Sequence, residues 1–80
     1  MKIKINDTEY TIANNSFTMH NGRLMFTITD EINVIEFMKD VNENNATVVY
    51  DGITFPDFKF ATSPSIDTDN YHVSLNLRKE

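Results

Sequence analysis

The sequence predicts an α+β fold: a mainly antiparallel sheet of about seven short strands with one helix after the fourth strand, ββββαβββ. Three observations carry this. Two turn dipeptides, Asn21-Gly22 and Asp51-Gly52, are each flanked by residues that alternate between apolar and polar. The alternation stops once, over residues 30–42, where apolar residues take helical spacing. It then resumes and ends with Tyr71, Val73, Leu75 and Leu77 alternating against His72, Ser74, Asn76 and Arg78.

Each element follows from its own residues. Ile3 and Ile5 point one way and Lys2 and Lys4 the other; Tyr10 and Ile12 repeat the pattern after Asn6-Asp7-Thr8-Glu9. A first hairpin is therefore expected. Pairing Ile3 with Tyr10 or with Ile12 keeps the apolar residues on one face, so the register stays open. At Asn21-Gly22 both central residues of a type I′ turn need positive φ, which this pair supplies. The turn sets His20 opposite Arg23, Met19 opposite Leu24 and Phe17 opposite Phe26. Those large apolar residues share one face, with Thr18, Met25 and Thr27 on the other.

Ile32, Val34, Ile35, Phe37, Met38 and Val41 form a broad helical stripe, with Asn33, Glu36, Asp40 and Glu43 opposite. The helix is expected over residues 30–42, with Asp30 as N-cap and Glu31 at the positive end of the dipole. Strand is the competing reading, because Val34, Ile35 and Phe37 are good strand formers. Asn42-Glu43-Asn44-Asn45 provides a polar exit in which Asn tolerates the left-handed conformation.

Beyond it, Thr47–Tyr50 and Ile53–Phe55 flank Asp51-Gly52, with Val48, Tyr50, Ile53 and Phe55 on one face. Phe58 and Phe60 break that parity, so Phe55-Pro56-Asp57-Phe58 must hold a turn or bulge. Pro56 lacks a donor and is expected at a sheet edge. Ser63-Pro64-Ser65 and Asp67-Thr68-Asp69-Asn70 read as loop. No internal repeat or linker is visible.

Composition bounds function. The chain has 80 residues, the size of one domain. A chain this short buries roughly 60–65% of the surface its unfolded form exposes. The hydrophobic fraction of 40% supports a core, and the net charge is −5. That charge argues against direct nucleic-acid binding and against an anionic membrane as partner. Cysteine is absent, which excludes disulfides, thiolate metal sites and thiol catalysis. The start alternates charge with apolarity and has no apolar leader core, so a cytoplasmic, soluble chain is expected. Asn6-Asp7-Thr8, Asn14-Asn15-Ser16 and Asn45-Ala46-Thr47 match a glycosylation triplet, as an Asn-rich sequence does by accident.

Chemistry-bearing patterns are sparse. His20 and His72 are isolated, expected exposed, and lack metal-ligand spacing. Both glycines belong to turns, so no phosphate-cradling loop exists. Asp67-Thr68-Asp69-Asn70 resembles the start of a calcium loop, but His72 stands where its glycine belongs and Arg78 where its closing Glu belongs. No metal, no cofactor and no catalytic residue is expected, and an enzyme is the reading least favoured.

Charge patterning is more informative. Residues 30–57 hold seven acids against Lys39, a local charge of −6, while the rest of the chain sums to +1. Glu36, Asp40 and Glu43 lie at i, i+4 and i+7, so a helix aligns them as a candidate partner-facing set. Ile35, Met38 and Val41 would then face the sheet. Such a face docks a basic protein surface, imitates a nucleic-acid phosphate track or keeps the protein soluble.

Lys2-Ile3-Lys4-Ile5-Asn6-Asp7-Thr8-Glu9-Tyr10-Thr11-Ile12 and the closing Asp67-Thr68-Asp69-Asn70-Tyr71-His72-Val73-Ser74-Leu75 resemble small proteins encoded by phages and prophages of Gram-positive bacteria, including those of tail and host-adsorption gene regions. The resemblance lies in the style of the whole chain and transfers no functional residue. It implies a non-enzymatic role in assembly or protein–protein interaction, in the host cytoplasm or on the virion. The expected partner is a second copy of the chain, as a homo-oligomer, or a phage or host protein. Two alternatives stand beside it: an acidic inhibitor of a basic host protein, and a carbohydrate-binding module. The last is weakened by the absence of Trp.

Overall fold

In a computed structural model, described here for residues 1–67 and 72–79, the chain forms eight strands and one helix. The order is β1 (Lys2–Ile5), β2 (Thr8–Thr11), β3 (Thr18–His20), β4 (Arg23–Ile28), α1 (Val34–Asn44), β5 (Ala46–Tyr50), β6 (Ile53–Phe60), β7 (Ser65–Asp67) and β8 (His72–Lys79). The α+β order with a mainly antiparallel sheet holds, with the helix after the fourth strand. Every strand pair is antiparallel, and the path through the sheet is β2-β1-β5-β6-β8-β4-β3.

The path closes on itself. Just beyond β2, Ile12 bridges Ile28, with Ala13 N donating to Thr27 O and Thr29 N to Thr11 O, each at 2.9 Å. β2 and β3 therefore act as one interrupted strand along β4, and β6 and β7 as one along β8. The result is a small barrel, with no room inside for anything but side chains. Ile3, Ile5, Ile12, Leu24, Ile28, Val48 and Leu77 fill it, none more than 2% exposed. Two three-stranded meanders, one on each side of α1, make up the wall. They meet along β1·β5 and β4·β8.

Turn chemistry sets the registers. Asn6 and Asp7 have φ of 48° and 70°, Asn21 and Gly22 52° and 75°, Asp51 and Gly52 51° and 76°. All three are two-residue turns with both φ positive, the type whose twist matches the strands. Asn6-Asp7 decides the first register in favour of Ile3 with Tyr10. His20 opposite Arg23 and Met19 opposite Leu24 are as the sequence predicts, and Phe17 stacks on Phe26 with centroids 6.0 Å apart. Met19 nevertheless stands 61% exposed, because β3 is a rim strand.

The predicted irregularity after Phe55 is a bulge. Val48 pairs with Phe55 but Ala46 with Phe58, and Asp57 takes a φ of 61°. The edge placement of Pro56 is corrected, since β6 lies inside the sheet path. What Pro56 requires is a missing neighbour, and β8 pairs with β6 from Phe58 onward, leaving β5 as the partner on the other side. The loop reading of Ser65 and Asp67 is also corrected. They belong to β7, which takes over the edge of β8 where β6 leaves it. Thr68, Asp69, Asn70 and Tyr71 lie outside the described residues.

The helix starts later than residue 30. Asp30 accepts from Thr11 N at 2.6 Å and is thus committed to the barrel wall. Asn33 is the N-cap instead, accepting from Glu36 N at 3.2 Å. Asn45 ends the helix at φ 60°, its N–H donating to Val41 O. Phe37 and Val41 are buried and seat the helix across the barrel end where β4 leaves and β5 enters. Phe37 meets Tyr10 edge-on at 5.9 Å and Phe60 at 6.2 Å. At the opposite end Phe17 stacks on Tyr50 at 4.0 Å and closes the barrel with Phe55.

Candidate functional site

The helix placement redistributes the face the sequence describes. Ile35, expected against the sheet, is 81% exposed. Burial of Phe37 and Val41 fixes the rotation of the helix, and Ile35 falls on the solvent side with Glu36, Lys39 and Glu43. Met38 is half-buried at the margin.

Glu36 and Glu43 are exposed as expected, but Asp40 is half-buried. Its Oδ2 accepts from Asn6 Nδ2 at 3.0 Å and its Oδ1 from Asn44 Nδ2 at 2.8 Å. The bonds from Asn6, and next from Asn44, hold its carboxyl below the ordinary value of 3.8 against a smaller opposing effect of burial. Asp40 is thus a structural carboxylate that also contributes to the acidic surface.

Asn6 is the residue that sequence reading missed. With a left-handed φ it turns the chain between β1 and β2. Its Nδ2 also donates to Asn45 O at 2.8 Å, and its Oδ1 accepts from Thr47 N at 2.9 Å. One side chain so joins a hairpin turn, the helix and the start of β5. The turn propensity of Asn6-Asp7 was visible; the long-range partners had no local signal.

Beside Asp40 lies an open groove of about 330 Å³ lined by Tyr10, Ile32, Asn33, Glu36, Phe37 and Asp40. Its floor is aromatic and its wall carries two carboxylates. Burial pushes the Tyr10 phenol above its ordinary value of 10.0, the bond with Thr8 opposing and the charge of Asp40 adding to the rise. Such a groove suits a cationic side chain, which gains carboxylate partners and a ring face together.

Among the described residues no group of three or more His, Asp or Glu could hold a metal. His20 is exposed beside its turn, while His72 is half-buried and sits opposite Asp67 in the β7·β8 ladder. The described helix is too short to cross a membrane. No protein-family model, curated protein or solved structure matches the chain.

Proposed function

We propose that this chain is a non-enzymatic protein-interaction module of the small phage type, acting in assembly and docking a basic protein surface through the solvent face of α1. The observation that carries this is the groove beside the helix, where Glu36 and Asp40 stand over Tyr10 and Phe37. Glu43 extends the negative surface along the helix. Ile35, 81% exposed, lies on the same solvent face and is free to add an apolar contact. The phage character and the placement in the host cytoplasm or virion rest on the style of the sequence.

The test is capture from a Gram-positive lysate at low salt, comparing wild type with Glu36→Gln/Glu43→Gln. Asp40 is left intact because its carboxylate accepts two hydrogen bonds that Asn could not both replace. A basic protein retained by wild type and lost from the variant supports the reading. Equal retention by both overturns it.

A further inference from the structure

The outer wall of the barrel carries a row of cations in an acidic protein. Arg23 on β4 pairs with Arg78 on β8, and Arg78 with Lys59 on β6. Alternation along the strands points these residues outward, since Leu24 and Leu77 beside them are fully buried. The Arg23–Arg78 pair is of the close kind. Lys79 N donates to Gly22 O at 3.1 Å, so Arg23 and Arg78 form a non-hydrogen-bonded pair, in which side chains approach most nearly. Like charges directly opposite are unfavourable to the fold. A second row runs beside the first: Met25, 40% exposed, pairs with Asn76, whose Oδ1 is buried without a donor among the described residues.

We infer that this face binds the solvent face of α1 from a second copy of the chain, so that copies assemble head to tail. The inference rests on reading the α1 face as a docking surface and names its occupant. Charge and spacing agree. Two strand steps from Arg23 to Lys59 cover about 10 Å, and the seven residues from Glu36 to Glu43 rise about 10.5 Å. Laid across the strands from β4 to β6, the helix sets Glu36 over Arg23 and Glu43 over Lys59, with Arg78 between them. The same rotation brings Ile35 to Met25 and lays Lys39 along the second row. The handedness is consistent. With β4 running downward and Arg23 toward the viewer, β8 lies to its right, and the helix then places its acids on the arginine row and Ile35 and Lys39 on the second row. The two surfaces are different patches of one molecule, so the contact is heterologous and propagates to rings or open chains.

Sedimentation velocity tests this with the full chain, at about 20 mM and about 500 mM salt, between which charge screening rises steeply. Wild type should associate at low salt and dissociate at high salt. Arg23→Glu/Arg78→Glu and Glu36→Lys/Glu43→Lys should each weaken association at least about tenfold, with unchanged circular dichroism. An equimolar mixture of the two should associate again, because each then offers what the other lacks. A wild type that stays monomeric at low salt, or association that survives either reversal, overturns the inference. So does a monomer whose arginine row binds a single-stranded oligonucleotide and loses it on Arg23→Glu/Arg78→Glu. If wild type is monomeric yet still captures a basic protein through Glu36 and Glu43, the self-assembly fails while the docking function stands.

Discussion

Asn6 donates to Asp40 across 34 positions of the chain and, with the same carboxamide, also donates to Asn45 O and accepts from Thr47 N. Three elements depend on that side chain. Asn6→Ala removes the bonds and places a Cβ-bearing, non-bonding residue at φ 48°, at an expected cost of about 2–4 kcal/mol. Asn6→Gly removes the bonds but relaxes the backbone, so it should cost about 1 kcal/mol less. Urea titration of the two variants separates the terms. Equal stability of wild type and Asn6→Ala would remove Asn6 from its central place.

Acid should expose the Asp40 contribution. Its folded-state pKa is depressed, so the stabilisation is complete above the unfolded value of 3.8 and disappears as pH falls from there through the folded value. Wild type and Asp40→Asn should therefore converge in melting temperature at low pH, separate as pH rises through the folded value, and hold a constant gap from about one unit above the ordinary value. A constant gap at every pH would refute the linkage.

Gly22 has φ +75° and nothing within 4 Å of where a Cβ would stand. The obstacle to substitution is thus the backbone and not crowding. Gly22→Val should cost about 1–3 kcal/mol, and Gly22→Asn clearly less, because Asn visits the left-handed region readily. Equal costs in urea would show that side-chain shape plays no part.

Ile35 and Phe37 should behave oppositely. Phe37 is 7% exposed and holds the helix to Tyr10 and Phe60. Phe37→Ala should cost about 3–5 kcal/mol, enough to unfold much of a small domain. Ile35→Ser should stay within about 0.5 kcal/mol. A large loss at Ile35 would mean the helix is rotated from the position described.

Calcium or EDTA should leave the melting temperature unchanged. Asp67 is a strand residue opposite His72, not a residue of a cation loop. A calcium-dependent rise of several degrees would overturn this.

The hairpins were legible because turn and pattern agree within a few residues. Asn21-Gly22 and Asp51-Gly52 dictate local φ, and the parity break at Phe58 can be read as a bulge without knowing its neighbours. Closure of the barrel was not legible. The bridge between Ile12 and Ile28 depends on accumulated strand twist, which no local pattern records. The helix start was misread for a related reason. Asp30 has cap chemistry, yet Thr11 N claims its carboxylate, and Asn33, three residues later, takes the role. Ile35 was misread separately: the apolar stripe is broader than the seat, and with Phe37 and Val41 buried Ile35 falls outside it. The arginine row was equally hidden, since Arg23, Lys59 and Arg78 are far apart in sequence and meet only through the order of the strands.

The two seams between the meanders are unequal. β4 and β8 are laced from Arg23↔Arg78 to Ile28↔Val73, whereas β1 and β5 share Lys4↔Val49 and Ile5↔Val48 and the ties of Asn6 to Thr47. A barrel joined this way should open first at its shorter seam. Amide exchange along β1 and β5 then reports a partial opening that leaves β4 and β8 protected. The opened form bares a strand edge able to pair with the same edge of another chain. Asn6 stands at the end of that seam, so the residue that ties the helix to the barrel should also resist exchange of the first hairpin with a neighbour.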